Sequence, residues 1–283
     1  MPTIALAACS DPLSTSTREK IPAMRELLAQ AGYSLDERYA QRYARCAGSY
    51  LMRISPRVRA QLLMELFADP HVDAIVDISG GNLSNEVLDL LDYQLISRNL
   101  KPFAAYSDNT AVNMALYRYA GLRPTYWNAC TIVQRGVRDI PDFLSGKRFL
   151  PQVFPDSSPI SEQGLCDALM HGDLPIIGGN VRCLAKLAGT RYWPALPSAR
   201  AAHAIVLESF SQTLPAAVST FTHLRHAGLF DDARAIILGQ FTAIDKNGQR
   251  DNLVRIIQES IDIPILHAPH VGHSADAQPV TIG

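Results

Sequence analysis

The sequence lacks paired cysteines. Its 283 residues contain five cysteines, which is an odd number, and they are scattered without a C-x-x-C pair. Such spacing argues against a disulfide framework and against a zinc site. We therefore expect the cysteines to be small buried hydrophobic residues in a protein of the reducing cytoplasm.

Long apolar runs and a dominant charge are also missing. No run of about 18 apolar residues occurs, so a membrane-spanning helix is not expected. Residues 1–9 are apolar but have no basic region before them, and we interpret them as a buried strand rather than a signal peptide. The 26 Lys and Arg nearly balance the 27 Asp and Glu, so charge favours neither a nucleic acid nor a membrane as partner.

Apolar and amphipathic segments alternate through the first 120 residues. We predict strands at residues 3–9, 72–78 and 101–105, and helices at residues 16–32, 57–67, 86–97 and 110–120. This alternation is typical of an α/β fold with a mostly parallel open sheet.

A stretch rich in proline divides this first region from a second one. The prolines are Pro141, Pro151, Pro155 and Pro159. We predict a nucleophile-bearing domain at residues 1–150, a linker region at 151–175 and a C-terminal α/β domain at 176–283. In that last domain the pattern favours strands at residues 204–207, 235–238 and 264–266, and helices at residues 215–227 and 252–261.

Ser107 stands where a predicted strand meets a predicted helix. A serine on such a turn exposes its Oγ, and the N–H groups at the helix start can stabilise an oxyanion. The alternative is a serine that only caps the helix. Sites in open α/β sheets lie beyond the carboxyl ends of strands, and both Ser107 and the Gly80-Gly81 pair fall there.

Two residues of the second region could work with this serine. Glu208 follows an apolar strand directly, where a partly desolvated carboxylate can orient a histidine. His273 lies in a loop after the strand at residues 264–266, and histidine can act there as a general base. A solvated acid and a surface histidine without a role are the simpler interpretations.

Metal and nucleotide sites are weaker hypotheses. His267, His270 and His273 have a spacing of three, which puts side chains on one face only in a helix, and Pro269 with Gly272 opposes a helix. Neither glycine pair of the chain continues as a dinucleotide or P-loop motif. We therefore expect no metal and no cofactor.

Eight short segments, in order over nearly the whole chain, form one recognisable pattern. They are residues 77–85, 91–93, 101–103 with 106–110, 177–180, 187–190, 207–208, 238–242 and 272–273. In these segments the chain resembles the LD-carboxypeptidase family of serine peptidases. That family includes muramoyl-tetrapeptide carboxypeptidases and microcin C self-immunity peptidases.

The resemblance implies a Ser-His-Glu triad at the interface of two domains. It assigns the nucleophile to Ser107, the glutamate to Glu208 and the histidine to His273. It assigns the oxyanion hole to the backbone N–H groups of Gly81 and Asp108.

It also implies a substrate and an assembly. The expected enzyme is a cytoplasmic homodimer that removes a terminal D-amino acid from a wall-derived peptide during peptidoglycan recycling, with Gly80 and Asn180 as substrate contacts. A microcin-immunity-like amidase that cleaves aminoacyl or peptidyl nucleotides is the first alternative. A peptide-binding protein without catalysis is the second.

The chain departs from the family pattern at several places, one of which is Ser79, where many members have arginine or another residue before the double glycine. Ala105 replaces a glycine before the nucleophile turn, and Ser209 replaces an acidic residue after the glutamate. Tyr126-Trp127-Asn128 replaces the usual His-Gly-Pro. The last change predicts a different wall of the site beside the nucleophile helix.

Overall fold

The computed structural model describes residues 1–39, 54–155, 160–193 and 202–283. The strands in these ranges are β1 (Thr3–Ala7), β2 (Ser34–Asp36), β3 (Ala74–Asp77), β4 (Phe103–Ala105), β5 (Thr125–Tyr126), β6 (Phe154–Pro155), β7 (Ile176–Asn180), β8 (His203–Ser209), β9 (Ala233–Phe241), β10 (Ile265–His267) and β11 (Val280–Thr281).

Helices connect most of these strands. They are α1 (Thr15–Gln30), α2 (Pro56–Ala68), α3 (Tyr93–Arg98), α4 (Thr110–Ala120), α5 (Ile132–Arg135), α6 (Ile140–Leu144), α7 (Ile160–His171), α8 (Val181–Ala185), α9 (Leu214–His226), α10 (Thr242–Lys246) and α11 (Arg250–Gln258), with 3-10 turns at Ser84–Leu90, Ser107–Asn109 and Ala129–Thr131. Among the described residues, no helix is both long and apolar enough to cross a membrane.

The strands form two sheets. The first has the order β11-β5-β4-β3-β1-β2, and the second has the order β6-β10-β9-β8-β7. Pairs are parallel except for β11 with β5 and β6 with β10, which are antiparallel. Every residue of β3 and β8 is buried, as expected for central parallel strands that are covered on both faces.

The two sheets meet close to the start of α4. A Cβ added to Gly179, at the end of β7, would lie 2.6 Å from the Oγ1 of Thr110, so only glycine permits this approach. The same hydroxyl accepts a hydrogen bond from the N–H of Asn180 at 2.9 Å. The carboxyl end of β7 is thereby attached to the helix that follows Ser107.

The chain crosses between the sheets once more near its end. Residues 268–279, here called the bridging segment, connect β10 of the second sheet to β11 of the first. β11 is anchored there by Val280 opposite Tyr126 and Thr281 opposite Thr125. The bridging segment carries His273.

The two-sheet α/β architecture confirms the predicted fold class. Most predicted elements are found with shifted ends, and α4 has the predicted ends. The single helix predicted at residues 86–97 is wrong: a 3-10 turn ends at Leu90, and α3 begins anew after Asp92, whose carboxylate accepts from the N–H of Leu95 at 2.9 Å. The predicted linker region also contains α7, while the domain boundaries themselves stay a prediction.

Candidate active site

The backbone makes a sharp turn at Ser107. Its φ of 55° is the one positive value for a non-glycine residue in the described ranges. This conformation costs about 1–2 kcal/mol for an L-residue, and it persists only where its surroundings hold it. The hydroxyl of Thr110 donates to the carbonyl of Ser107 at 2.7 Å, and the Nδ2 of Asn113 donates to the carbonyl of Ala105 at 3.0 Å.

The turn brings three side chains from distant parts of the chain together. The Oγ of Ser107 lies 3.0 Å from the Nε2 of His273, and the Nδ1 of His273 lies 2.7 Å from the Oε2 of Glu208. Glu208 is fully buried, and 11% of the His273 side chain is exposed. The arrangement is a hydroxyl, a base and a carboxylate that orients the base.

The second oxygen of Glu208 receives donors from both sheets. The hydroxyl of Tyr126 donates to Oε1 at 2.5 Å, and the Nδ2 of Asn180 donates to it at 2.9 Å. Burial and the negative charge of Glu208 raise the pKa of Tyr126 well above its ordinary value, so the phenol keeps its proton and stays a donor.

Tyr126 also contacts the nucleophile turn. Its hydroxyl oxygen accepts from the backbone N–H of Ser107 at 3.1 Å. One phenol therefore joins the Ser107 backbone to Glu208, and the N–H of Ser107 is not available to an oxyanion. The N–H groups of Asp108 and Gly81 donate no hydrogen bond within the described part of the chain.

The side chain of Asp108 is a buried junction. It accepts from the Oγ of Ser10 at 2.6 Å, the N–H of Ser84 at 2.8 Å and the Nζ of Lys186 at 2.5 Å. Burial acts to raise the pKa of Asp108, but the hydrogen bonds from Lys186 and Ser10 outweigh it and lower the pKa below its ordinary value. Asp108 is thus a charged anchor between the nucleophile turn and the segment at Ser84.

A second buried carboxylate supports the turn from behind. Asp77, at the end of β3, accepts from the N–H of Cys9 at 2.7 Å, the N–H of Ser79 at 2.8 Å and the Nδ2 of Asn109 at 3.0 Å. Burial raises the pKa of Asp77, although the hydrogen bonds from Ser79 and Cys9 oppose the rise. The ends of β1 and β3 are in this way attached to the residue two positions after Ser107.

The loop at Gly81 depends on glycine. Gly81 has a φ of 130°, and an added Cβ would lie 2.2 Å from the Cγ of Asp11. That carboxylate accepts from the N–H of Asn82 at 3.0 Å. The close packing of Asp11 on Gly81 therefore sets the course of the backbone whose N–H the family resemblance assigns to the oxyanion hole.

Aromatic rings enclose His273. Phe210 stacks on it with ring centroids 4.9 Å apart, and Tyr106 lies on it with centroids 5.3 Å apart. The next residue, Ser274, exchanges hydrogen bonds with the side chain of Gln240 at 2.7 and 3.0 Å. These contacts limit the rotation of the imidazole, while Phe210 itself is 54% exposed.

Two residues were predicted to contact substrate, and both have intramolecular contacts. The carbonyl of Gly80 accepts from the N–H of Asp11 at 3.2 Å. The Oδ1 of Asn180 accepts from the N–H of Cys183 at 3.3 Å, and its Nδ2 is engaged with Glu208. Their contact with substrate stays a prediction, and Asn180 has in addition a clear structural task.

The cysteines have environments that suppress reactivity. Burial raises the pKa of Cys130 to about 11 and that of Cys183 to about 12, and burial together with Asp77 raises that of Cys9. Thiolates are the reactive form, so these three side chains are poor nucleophiles. Cys46 lies outside the described residues.

Sequence reasoning missed several residues of the site. Tyr126, Lys186 and Asp77 come from separate elements, and their contacts depend on how the sheets pack. Tyr126 was marked beforehand as a departure from the family pattern, and Asp77 as the first residue of a segment that carries the resemblance, whereas Lys186 was not marked.

Comparison with known proteins supports the family resemblance. The model of the LD-carboxypeptidase N-terminal domain matches residues 4–127, and that of the LD-carboxypeptidase C-terminal domain matches residues 175–283. A Vibrio cholerae protein provisionally named a carboxypeptidase is 27% identical over 243 residues, 75% of this chain and 71% of that protein. The microcin C7 self-immunity protein MccF of Escherichia coli is 25% identical over 246 residues, 76% of this chain and 71% of its own.

Solved structures share the fold. Muramoyltetrapeptide carboxypeptidase from Oxalobacter formigenes aligns with a TM-score of 0.75 at 18% identity, covering 99% of this chain and 92% of that one. MccF in complex with glutamyl sulfamoyl guanosine also aligns with a TM-score of 0.75, at 21% identity, covering 100% and 91%. From the matches to both of its domains, the chain belongs to the LD-carboxypeptidase family of peptidases, S66.

Proposed function

We propose that the protein is a serine peptidase of the LD-carboxypeptidase type that removes a terminal D-amino acid from a wall-derived peptide. The observation that carries the proposal is the contact chain from Ser107 through His273 to the buried Glu208. Ser107 supplies the nucleophile on a strained turn, and strain of this kind concentrates at functional sites.

The reaction has two halves. In the first, the Nε2 of His273 takes the proton of the Ser107 Oγ, which attacks the carbonyl carbon of the scissile amide, and the imidazolium then gives this proton to the departing amine. In the second, His273 takes a proton from water, the hydroxide attacks the acyl-Ser107 ester, and the proton returns to Oγ. One water is consumed, and a shortened peptide and a free amino acid are released.

The other groups stabilise charge during both halves. Glu208 accepts the Nδ1–H of His273 and stabilises the imidazolium. We assign the developing oxyanion to the N–H groups of Gly81 and Asp108, because neither is used within the described chain and the N–H of Ser107 is bound by Tyr126.

Amide cleavage next to a nucleotide is the second candidate. MccF aligns in structure with 100% of this chain and over 91% of its own. It has been solved with glutamyl sulfamoyl guanosine and with aspartyl sulfamoyl adenosine. The same contact chain could hydrolyse the amide of such a compound. The carboxypeptidase proposal ranks first because the family model and the Oxalobacter formigenes structure carry that activity in their names.

A non-catalytic binding protein is the third candidate. Loss of function would leave no requirement for a buried carboxylate that is aligned with a histidine and a serine. The intact distances of 3.0 and 2.7 Å therefore count against it.

The experiment is a product assay with two substrates. The purified protein and its Ser107→Ala variant are incubated with a wall tetrapeptide that ends in D-alanine and, separately, with aspartyl sulfamoyl adenosine. Mass spectrometry detects the products, and a fluorophosphonate probe reports on the reactivity of Ser107. We expect D-alanine from the wild type only.

The outcomes separate the candidates. Cleavage of the nucleotide compound alone would favour the second candidate. No product from either compound, together with no probe on Ser107, would overturn the enzyme proposal. We also propose that the protein is a cytoplasmic homodimer. Light scattering coupled to size-exclusion chromatography measures its oligomeric state.

A further inference from the structure

Two cations, Arg182 in α8 and Lys186 directly after it, hold the loop that contains Gly81. Lys186 donates to the carbonyl of Asn82 at 2.8 Å and to Asp108 at 2.5 Å. Arg182 donates to the Oδ1 of Asn82 at 2.7 Å and to the carbonyl of Gly81 at 3.2 Å. The two side chains are four residues apart and so lie on the same face of the helix.

Their charges are compensated differently. Lys186 forms an ion pair with the buried carboxylate of Asp108. Both acceptors of Arg182 are neutral, and no described carboxylate forms an ion pair with it. The carboxylate packed on this loop, Asp11, accepts from Asn82 instead. A guanidinium has five N–H donors, so Arg182 is an exposed cation that can still bind an anion.

The position of Arg182 relative to the reaction follows from Gly81. The carbonyl of Gly81 binds Arg182, and its N–H is the proposed oxyanion donor. The N and O atoms of one residue are roughly 3–4 Å apart, so the nearer guanidinium nitrogen lies within about 7 Å of that N–H. In a substrate, the terminal carboxylate lies one residue beyond the scissile carbonyl, about 5 Å away. The distance therefore permits one residue between the two groups.

We propose that Arg182 forms an anion subsite for the leaving group. The subsite binds the negative charge carried by the departing amine, which is the terminal carboxylate of the released amino acid in the first candidate. In the second candidate it would bind the phosphoryl group next to the scissile nitrogen, or the sulfonyl oxygens of a sulfamoyl group in that place. A guanidinium recognises a carboxylate through two parallel hydrogen bonds, which an ammonium such as that of Lys186 does not offer.

This inference rests on the proposed function and narrows it. The acyl side of the substrate can vary, whereas the amine side must carry an anion within one residue of the scissile bond. The site would then act as an exopeptidase, because an internal peptide bond has no charge at that position.

The test compares a charged and an uncharged leaving group. Wild type, Arg182→Gln and Arg182→Lys are assayed with the D-alanine tetrapeptide as free acid and as C-terminal carboxamide. We expect Arg182→Gln to reduce the acid-over-amide ratio of kcat/KM by about 10- to 100-fold, because a charge-assisted pair is lost. Arg182→Lys keeps the positive charge but not the two parallel donors, so its acid-over-amide ratio should lie between those of the wild type and Arg182→Gln. Arg18→Gln, an exposed arginine on α1, is the matched control and should keep the wild-type ratio.

A structural role of Arg182 gives a different result. Glutamine at position 182 can still donate to Asn82, and loosening of the Gly81 loop would slow both peptides equally. An unchanged acid-over-amide ratio in Arg182→Gln therefore overturns the anion subsite.

Binding separates this inference from the proposed function. Calorimetry on Ser107→Ala and on Ser107→Ala with Arg182→Gln measures the affinity for the acid, the carboxamide and aspartyl sulfamoyl adenosine without turnover. Tighter binding of the acid than of the carboxamide, with a preference that disappears without Arg182, supports the subsite even if no peptide is cleaved. Cleavage of the tetrapeptide with equal acid and amide affinities supports the enzyme and overturns the subsite.

Discussion

The two halves of the candidate site are held in different ways. The nucleophile half is fixed mainly from the first sheet, where Asp77 and Asp108 gather hydrogen bonds around the turn at Ser107. Lys186, between β7 and β8 of the second sheet, adds an ion pair to Asp108. The acid–base half belongs to the second sheet, but the Oε1 of its Glu208 accepts a hydrogen bond from Tyr126, a residue of β5 in the first sheet. The nucleophile half thus receives a cation from the second-sheet region, whereas the acid–base half receives a donor directly on its carboxylate from the first sheet.

The largest loss of activity should come from replacing Glu208, the carboxylate of the acid–base half. Glu208→Gln puts an amide where Oε1 and Oε2 face three donors, from Tyr126, Asn180 and His273, so one donor is left without an acceptor. We expect kcat to fall about 10³- to 10⁴-fold. Steady-state kinetics measures this, with Glu259→Gln on the exposed end of α11 as control. A loss below tenfold would contradict the role of Glu208.

The support that the first sheet gives to the acid–base half of the site is tested at Tyr126. Tyr126→Phe removes one donor from Glu208 and leaves the N–H of Ser107 without its acceptor. We expect kcat to fall about 10- to 100-fold with KM nearly unchanged, since the substrate itself is not contacted.

Tyr93→Phe is the matched control for this change. Its hydroxyl donates to the carbonyl of Leu88 at 2.8 Å, and among the described residues it forms no hydrogen bond with Ser107, Glu208 or His273. This variant should lose about 1 kcal/mol of unfolding free energy and keep its kcat. If Tyr126→Phe lowers the unfolding free energy but leaves kcat unchanged, the hydroxyl of Tyr126 does not couple the two halves of the site.

The ion pair between Asp108 and Lys186 predicts a pH effect. The folded-state pKa of Asp108 is depressed, so the pair with Lys186 stabilises the protein above the unfolded pKa, and this stability is lost as pH falls through the folded pKa. In Lys186→Met the buried carboxyl loses its cation and takes up a proton at higher pH.

We expect the acid limb of stability to move upward by about one pH unit or more in that variant. Thermal melts between pH 3 and pH 8 measure it, and Lys147→Met, from an exposed pair with Asp142, should leave the limb in place. An unchanged limb in Lys186→Met would show that the network around Asp108 does not need the charge.

The smallest effect concerns strain at the turn. Both Ser107→Ala and Ser107→Gly lack the nucleophile, but glycine adopts a φ of 55° without the Cβ penalty. We expect the glycine variant to be more stable than the alanine variant by about 1 kcal/mol in urea unfolding. At Ser97, in α3, the order should reverse, because glycine weakens a helix. Equal stabilities at position 107 would mean that the turn is not strained.

Local patterns predicted the nucleophile half well. The turn at Ser107 and the helix at residues 110–120 both follow from short-range rules on strand ends and helix starts. The assignment of Glu208 and His273 relied on the family resemblance, because nothing in their spacing of 65 residues brings them together.

Long-range packing accounts for most of what was missed. The contact of Tyr126 with Glu208 exists because β5 lies beside β4 and faces the end of β8, which no local pattern encodes. β11 has two residues, too few for a recognisable period, and it is a strand only because β5 pairs with it. α7 was missed for another reason, because it directly follows the prolines from which the linker region was predicted.

The bridging segment makes His273 sensitive to the mutual position of the two sheets. It is tied to β10 at one end and to β11 at the other, so any separation of the sheets draws the imidazole away from Ser107 before either sheet unravels. Catalysis should therefore vanish at a lower urea concentration than the helical circular dichroism signal. Hydrolysis would then occur only while the two sheets are packed together. A partly unfolded or incompletely synthesised molecule would contain Ser107 without its general base.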